Sequence, residues 1–191
     1  RAMNRTRRKQ SEHGPKSARG LWAYVKRLNE DRAKKVSAAI VEFASQHSVD
    51  AIVMEHLDFK GCRKRGSKAQ RLSMWNHGII REKVEHKAHL LGIRIATICA
   101  WKTSALAFDE SGSVTREDNN HALATFTTGK RYNCDLSASY NIGARYFIRE
   151  LLKSLPATEE SRVKAKVPDV GRRTSCTLST LRVFVKELSA A

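Results

Sequence analysis

Two carboxylates stand where this chain could organise chemistry. Glu55 follows the short apolar run Ala51-Ile52-Val53-Met54, and Asp135 precedes a stretch with helical spacing. A carboxylate at the end of a buried strand is a recurrent arrangement, because open α/β sheets place ligands beyond the carboxyl ends of their strands. Position alone leaves Glu55 equally readable as a surface residue that ends a strand. Asp135 would face the positive end of a helix dipole, where an Asp is by default a cap. The surroundings set this pair apart. Lys and Arg number 36 against 19 Asp and Glu, a formal net charge of +17. A few placed carboxylates in a basic chain are what metal-dependent phosphodiester hydrolysis needs: they hold Mg²⁺, the metal activates water, and the cations draw in the polyanion.

The cations are concentrated. Residues 1–20 contain Arg1, Arg5, Arg7, Arg8, Lys9, Lys16 and Arg19 against the single acid Glu12, and residues 60–71 contain Lys60, Arg63, Lys64, Arg65, Lys68 and Arg71 around Gly61 and Gly66. Both segments are candidate phosphate contacts; a solvated charge run is the plain alternative. Cys62, Cys99, Cys134 and Cys176 are scattered with no CxxC pair, so neither a disulfide framework nor a zinc site is expected. His77, His86 and His89 share a helical stretch without a partner at ligand spacing. Trp22, Trp75 and Trp101 are read first as core, with base stacking as the alternative.

Composition bounds the rest. A chain of 191 residues suits one ordinary domain, and a hydrophobic fraction of 41% supports a packed core. The charge excludes a typical neutral or acidic metabolic enzyme and points to a polyanion partner: DNA, RNA or an acidic membrane face. No apolar run approaches membrane-spanning length and no signal-peptide pattern opens the chain, so no membrane partner and a cytoplasmic location are expected.

The elements that must position the two acids follow from periodicity. Leu21, Val25, Leu28, Val36, Ile40 and Phe43 predict a long amphipathic helix over residues 17–47. The run from Ala51 predicts a strand buried on both faces. Apolar positions from Leu72 to Leu91 predict a second helix, stopped at Gly92. Ile93–Cys99 alternates and is β-branched, hence a second strand, and a strand–helix–strand unit predicts a parallel right-handed crossover. Residues 100–133 read as polar and irregular. A third helix is expected from about Asp135 to Leu155, ended by Pro156, then a basic tail with one modest segment at Leu178–Leu188.

Ala51-Ile52-Val53-Met54-Glu55-His56-Leu57 resembles the second RuvC motif of the TnpB/OrfB proteins of insertion sequences, relatives of the type V CRISPR effector nucleases. Asp135-Leu136-Ser137-Ala138-Ser139-Tyr140-Asn141-Ile142-Gly143 looks like the third motif, D-x-N-A-A-x-N-I. Thr103-Ser104 matches the Thr-Ser that opens the family's insert. The resemblance implies an α/β, RNase H-like (RuvC) fold, incomplete here: two parallel strands with long helices, without the N-terminal strands. Residues 1–155 would be the C-terminal portion of that nuclease domain, with a degenerate insert at 100–133, and residues 156–191 a basic C-terminal tail. It implies an RNA-guided, Mg²⁺-dependent DNA endonuclease with guide RNA and DNA as partners, and Glu55 and Asp135 as catalytic metal ligands. The family's first carboxylate, in a D-x-G-x-x motif, has no counterpart and is expected before Arg1. Its two zinc-binding CxxC pairs are also missing, so no zinc ribbon is expected. Without a neighbouring first strand, the two strands should leave an apolar sheet edge. The alternative function is a nuclease-dead RNA/DNA-binding derivative of the same family.

Overall fold

The computed structural model describes residues 2–14, 18–57, 76–172 and 174–190. Two compact units emerge, Arg1–Ile52 with Phe59–Ile95, and Val53–Asp58 with Ala96–Ala191.

The first unit is built on helices α1 (Ala2–His13), α2 (Arg19–Gln46) and α3 (His77–Leu90). The amphipathic pattern places α2, and Val25 of the expected stripe is buried with Leu21 and Ile40 half-buried, but much of the buried face is made by small residues. Val25, Ala33, Ser37, Val41 and Ala44 are buried, whereas Leu28, Val36 and Phe43 stay exposed, Phe43 by 62%. The reason is close approach. Small side chains on α2 pack against α3, which buries Val84 and Ala88. Two side chains then reach across to α2 carbonyls, Asn76 Nδ2 to Asn29 O at 2.6 Å and Lys87 Nζ to Lys34 O at 3.5 Å.

Both α2 and α3 hand the chain to a strand through the same C-terminal motif. Gly92 lies at φ 71°, with Gly92 N–H donating to His89 O and Ile93 N–H to Ala88 O. Ser48 does the same work after α2 at φ 50°, with Ser48 N–H to Ser45 O and Val49 N–H to Ala44 O. This is the paired 6→1 and 5→2 bonding that ends a helix on a left-handed residue. The strands are β1 (Ala51–His56) and β2 (Arg94–Cys99), paired in parallel as a two-stranded sheet. Ala51 through Glu55 are only half-buried, not enclosed on both faces as expected.

In the second unit, residues 100–133 are not irregular. Leu106 bridges Ser113, and β3 (Thr115–Arg116), β4 (Leu123–Thr125) and β5 (Arg131–Asn133) form an antiparallel sheet in that order. Its register pairs Thr115 with Thr125 and Ala124 with Tyr132. An aromatic cluster holds it: Phe108 meets Phe126, Tyr132 and Tyr140 edge-on, with centroids 5.5, 5.1 and 5.3 Å apart. Edge-to-face geometry adds about 0.5–1.5 kcal/mol per pair beyond burial. Lys130 Nζ lies over the Phe108 and Tyr132 rings. The Tyr140 hydrogen bond raises the Tyr132 phenol above its ordinary value.

Helix α4 (Cys134–Ser154) follows directly, and Pro156 caps α5 (Ala157–Lys166). Residues 156–191, expected as a tail, instead contribute to a core. Val163 on α5, Val170 on a 3₁₀ turn, Cys176 in the segment after it, and Phe184 on α6 (Leu178–Ser189) pack with Ile148 of α4. Phe184 is fully buried. No helix among the described residues is long and apolar enough to cross a membrane.

Candidate functional site

Glu55 lies one residue before the end of β1, half-buried, and its Oε1 accepts a hydrogen bond from Thr103 Oγ1 at 2.5 Å. Thr103 itself is 2% exposed. Its carbonyl accepts from Asn141 Nδ2 at 3.0 Å, and the same amide nitrogen donates to Leu106 O at 2.9 Å. Asn141, 0% exposed, sits on α4, the helix whose first turn carries Asp135. The N-cap is not Asp135. Asn133 fills that role, its side chain accepting from Leu136 N–H at 2.9 Å, which leaves Asp135 exposed in the first turn.

The chain between β2 and the insert is pinned further along. Arg145 is 5% exposed and donates from Nη1 to Cys99 O (3.0 Å) and Trp101 O (2.8 Å). Its Nε and Nη2 reach Cys176 O (3.2 Å) and Thr174 O (2.6 Å). Arg149 Nη1 continues the series on Thr97 O at 2.7 Å. Burial pushes the Arg145 guanidinium down, opposed by Cys176, Cys99 and Glu55. Because Arg94 N–H bonds Asp50 O towards β1, the carbonyls of Thr97 and Cys99 must face the opposite edge. On the outer edge of β2, the Thr97 and Cys99 carbonyls are therefore taken by α4 guanidinium groups.

Asn141, Arg145 and Arg149 stand four residues apart on one stripe of α4. Between them they meet the carbonyls of Leu106 and Thr103, of Trp101 and Cys99, and of Thr97.

Of the predicted phosphate contacts, Arg5, Arg7, Arg8 and Lys9 lie on α1 and Arg19 opens α2. Arg8 pairs with Glu12 at 2.9 Å. Lys16, Arg63, Lys64, Arg65, Lys68 and Arg71 lie outside the described residues, as do Asp58, Cys62 and Trp75. His86 and His89 are exposed, and Trp101 is 63% exposed rather than core. Periodicity did not flag Arg145 or Arg149 as structural, nor Arg116, whose Nη2 donates to Ser104 Oγ at 2.9 Å beside Thr103. A cleft of about 460 Å³ is lined by Arg145, Arg149, Lys153, Lys164, Glu160 and Cys176, and neither Glu55 nor Asp135 borders it.

Among the described residues no three His, Cys, Asp or Glu side chains gather as a metal-ligand group. The donor set that remains is a half-buried carboxylate with one oxygen satisfied and an exposed carboxylate in a helix's first turn. Mg²⁺ is commonly held by one or two carboxylates with waters and substrate phosphates, so these donors fit the ion in kind.

No family model matches the chain, and no curated protein matches it. Among solved structures it is similar to a chain of the cryo-EM structure of a Cas12f1–sgRNA–target DNA complex. The TM-score is 0.51 at 18% identity, over 74% of this chain and 39% of that one. The likeness is one of fold, and the chain spans about two fifths of that neighbour's length.

Proposed function

We propose that this chain is the catalytic-half fragment of an RNA-guided DNA endonuclease of the TnpB/OrfB kind, with an RNase H-like fold and guide RNA and DNA as partners. The observation that carries the reading is the tie from Glu55 through Thr103 to Asn141. It joins residues of both motifs and of the Thr-Ser pair, in a chain whose fold is similar to part of a Cas12f1 nucleoprotein complex.

Glu55 and Asp135 would hold Mg²⁺, which when bound activates water and stabilises the leaving oxygen of a phosphodiester. The chain's own groups supply orientation and charge. Thr103 fixes the Glu55 carboxylate, Asn133 rather than Asp135 caps the helix so that the aspartate stays open, and the exposed Arg116 brings a cation beside Ser104 for a phosphate. The net charge of +17 attracts the polyanion at long range.

The test joins the 191-residue chain to a family N-terminal segment carrying the D-x-G-x-x aspartate, with its guide RNA, labelled target DNA and Mg²⁺. Cleavage is expected from the joined protein and not from the chain alone, since two carboxylates do not hold both ions. Glu55→Gln or Asp135→Asn should abolish it with nucleic-acid binding nearly unchanged. Full cleavage after Asp135→Asn would overturn the reading. Binding without cleavage by the joined protein would favour the nuclease-dead derivative.

A further inference from the structure

We infer that Thr103 is a positioning residue that makes Glu55 a one-sided ligand, presenting Oε2 alone to a divalent cation. The inference rests on the reading of Glu55 as a metal ligand and adds the residue that sets how it binds.

Three observations lead to it. Thr103 Oγ1 lies 2.5 Å from Glu55 Oε1 and 3.1 Å from Ala100 O. A hydroxyl has one proton to give, and the ionised carboxylate is the stronger acceptor. Oε1 of Glu55 is thus the favoured acceptor over the Ala100 carbonyl. Second, the hydroxyl is not free to move away. The turn that carries it has its carbonyls at Cys99, Trp101, Thr103 and Leu106 held by Arg145 and Asn141, both buried. Third, those two anchors sit on the helix whose first turn carries Asp135, so one rigid element fixes both the second carboxylate and the partner of the first.

A carboxylate with one oxygen bound to a hydroxyl coordinates a small cation through the other oxygen. This suits an ion that demands near-octahedral geometry and keeps several waters. It also occupies one of the two lone pairs of Oε1, which disfavours chelation through both oxygens, the mode that suits larger, more flexibly coordinated ions such as Ca²⁺. Partners that orient a metal ligand are typically worth about 10- to 100-fold in metal affinity.

The experiment titrates Mn²⁺ into the 191-residue chain and follows free Mn²⁺ by electron paramagnetic resonance, with Mn²⁺-soaked crystals read by anomalous scattering. Thr103→Val, which keeps the side-chain shape, should weaken Mn²⁺ binding at least tenfold, and Thr103→Ser should restore it to within about threefold of the original. The anomalous peak should lie on Oε2 of Glu55 with the Thr103 contact intact. A Thr103→Val protein that binds as well as the original would overturn the inference. So would a peak shared by both oxygens of Glu55 in the unmodified chain, a result that needs no variant to fold. Loss on Glu55→Gln with no effect of Thr103→Val rejects the positioning role alone. Unchanged binding after Glu55→Gln, or none by the unmodified chain, rejects Glu55 as a ligand and this inference with it.

Discussion

Replacing Arg145 by Met tests whether the α4 clamp holds the second unit together. The substitution keeps an unbranched apolar stem and removes donors from four carbonyls, those of Cys99, Trp101, Thr174 and Cys176. Hydrogen bonds to charged groups contribute roughly 1.5–3 kcal/mol each, yet their sum overstates the loss for two reasons. The guanidinium is itself buried, and desolvation opposes its charge. Trp101 and Thr174 are exposed residues whose carbonyls can turn to water, whereas Cys176 is buried and Cys99 sits at the closed strand edge. Two carbonyls left without donors, at about 1–3 kcal/mol each, give an expected loss of about 4 kcal/mol. In a chain of this size that lowers the melting temperature by about 10 °C. Arg145→Lys keeps the charge but offers one point of donation instead of a fork, so about half the loss is expected. Urea unfolding followed by far-UV circular dichroism measures both. A loss below about 1 kcal/mol for Arg145→Met, or a lysine variant as stable as the original, would show that the clamp is incidental.

Affinity for single-stranded DNA or RNA should fall about 100-fold or more between 50 and 200 mM salt, as counterion release requires; a flat binding constant in a filter assay would exclude the electrostatic arm. Cys99, exposed, should be alkylated rapidly at pH 8, while Cys176, whose thiol burial pushes up to about 11 from 9.0, should react only on unfolding. The sign of the linkage is fixed: Cys176 keeps its proton longer in the folded state, so stability should decline as pH rises from 9 towards 11. Cys176→Ala should remove that slope, read by urea titrations at several pH values.

Periodicity located helices well because α2, α3 and α4 each bury one stripe, yet on α2 it captured only part of that stripe. Leu28, Val36 and Phe43 carry more apolar surface than Ala33, Ser37 and Ala44, but a close helix pair selects for small size rather than for hydrophobicity. Gly92 announced a left-handed stop, and Ser48 did not, because only glycine signals that conformation by its identity. The insert read as irregular because its strands are two or three residues long, too short for alternation to register. What holds it is one cluster drawn from Phe108, Phe126, Tyr132 and Tyr140, contacts far apart in sequence. The C-terminal segment read as a tail because its charge is high, while Val163, Val170, Cys176 and Phe184 are too widely spaced to suggest a shared core.

Asp135 was legible as a helix-start acid, but its freedom to act depends on Asn133, which takes the cap that would otherwise engage the aspartate. The deeper signal lay further along the same helix. Asn141, Arg145 and Arg149 recur at steps of four, and three polar side chains on one stripe normally mean a solvated face. Here that stripe is turned inward, since Asn141 and Arg145 are buried and Arg149 half-buried. Inward-facing donors need acceptors, and here these are the carbonyls of Thr97 and Cys99 on β2 and of Trp101, Thr103 and Leu106 in the chain after it. The turn after β2 carries Thr103, whose hydroxyl donates to Glu55. The stripe that secures the sheet edge is thus also the frame that aims the carboxylate, so stability of the second unit and the geometry of the candidate site are set by the same side chains.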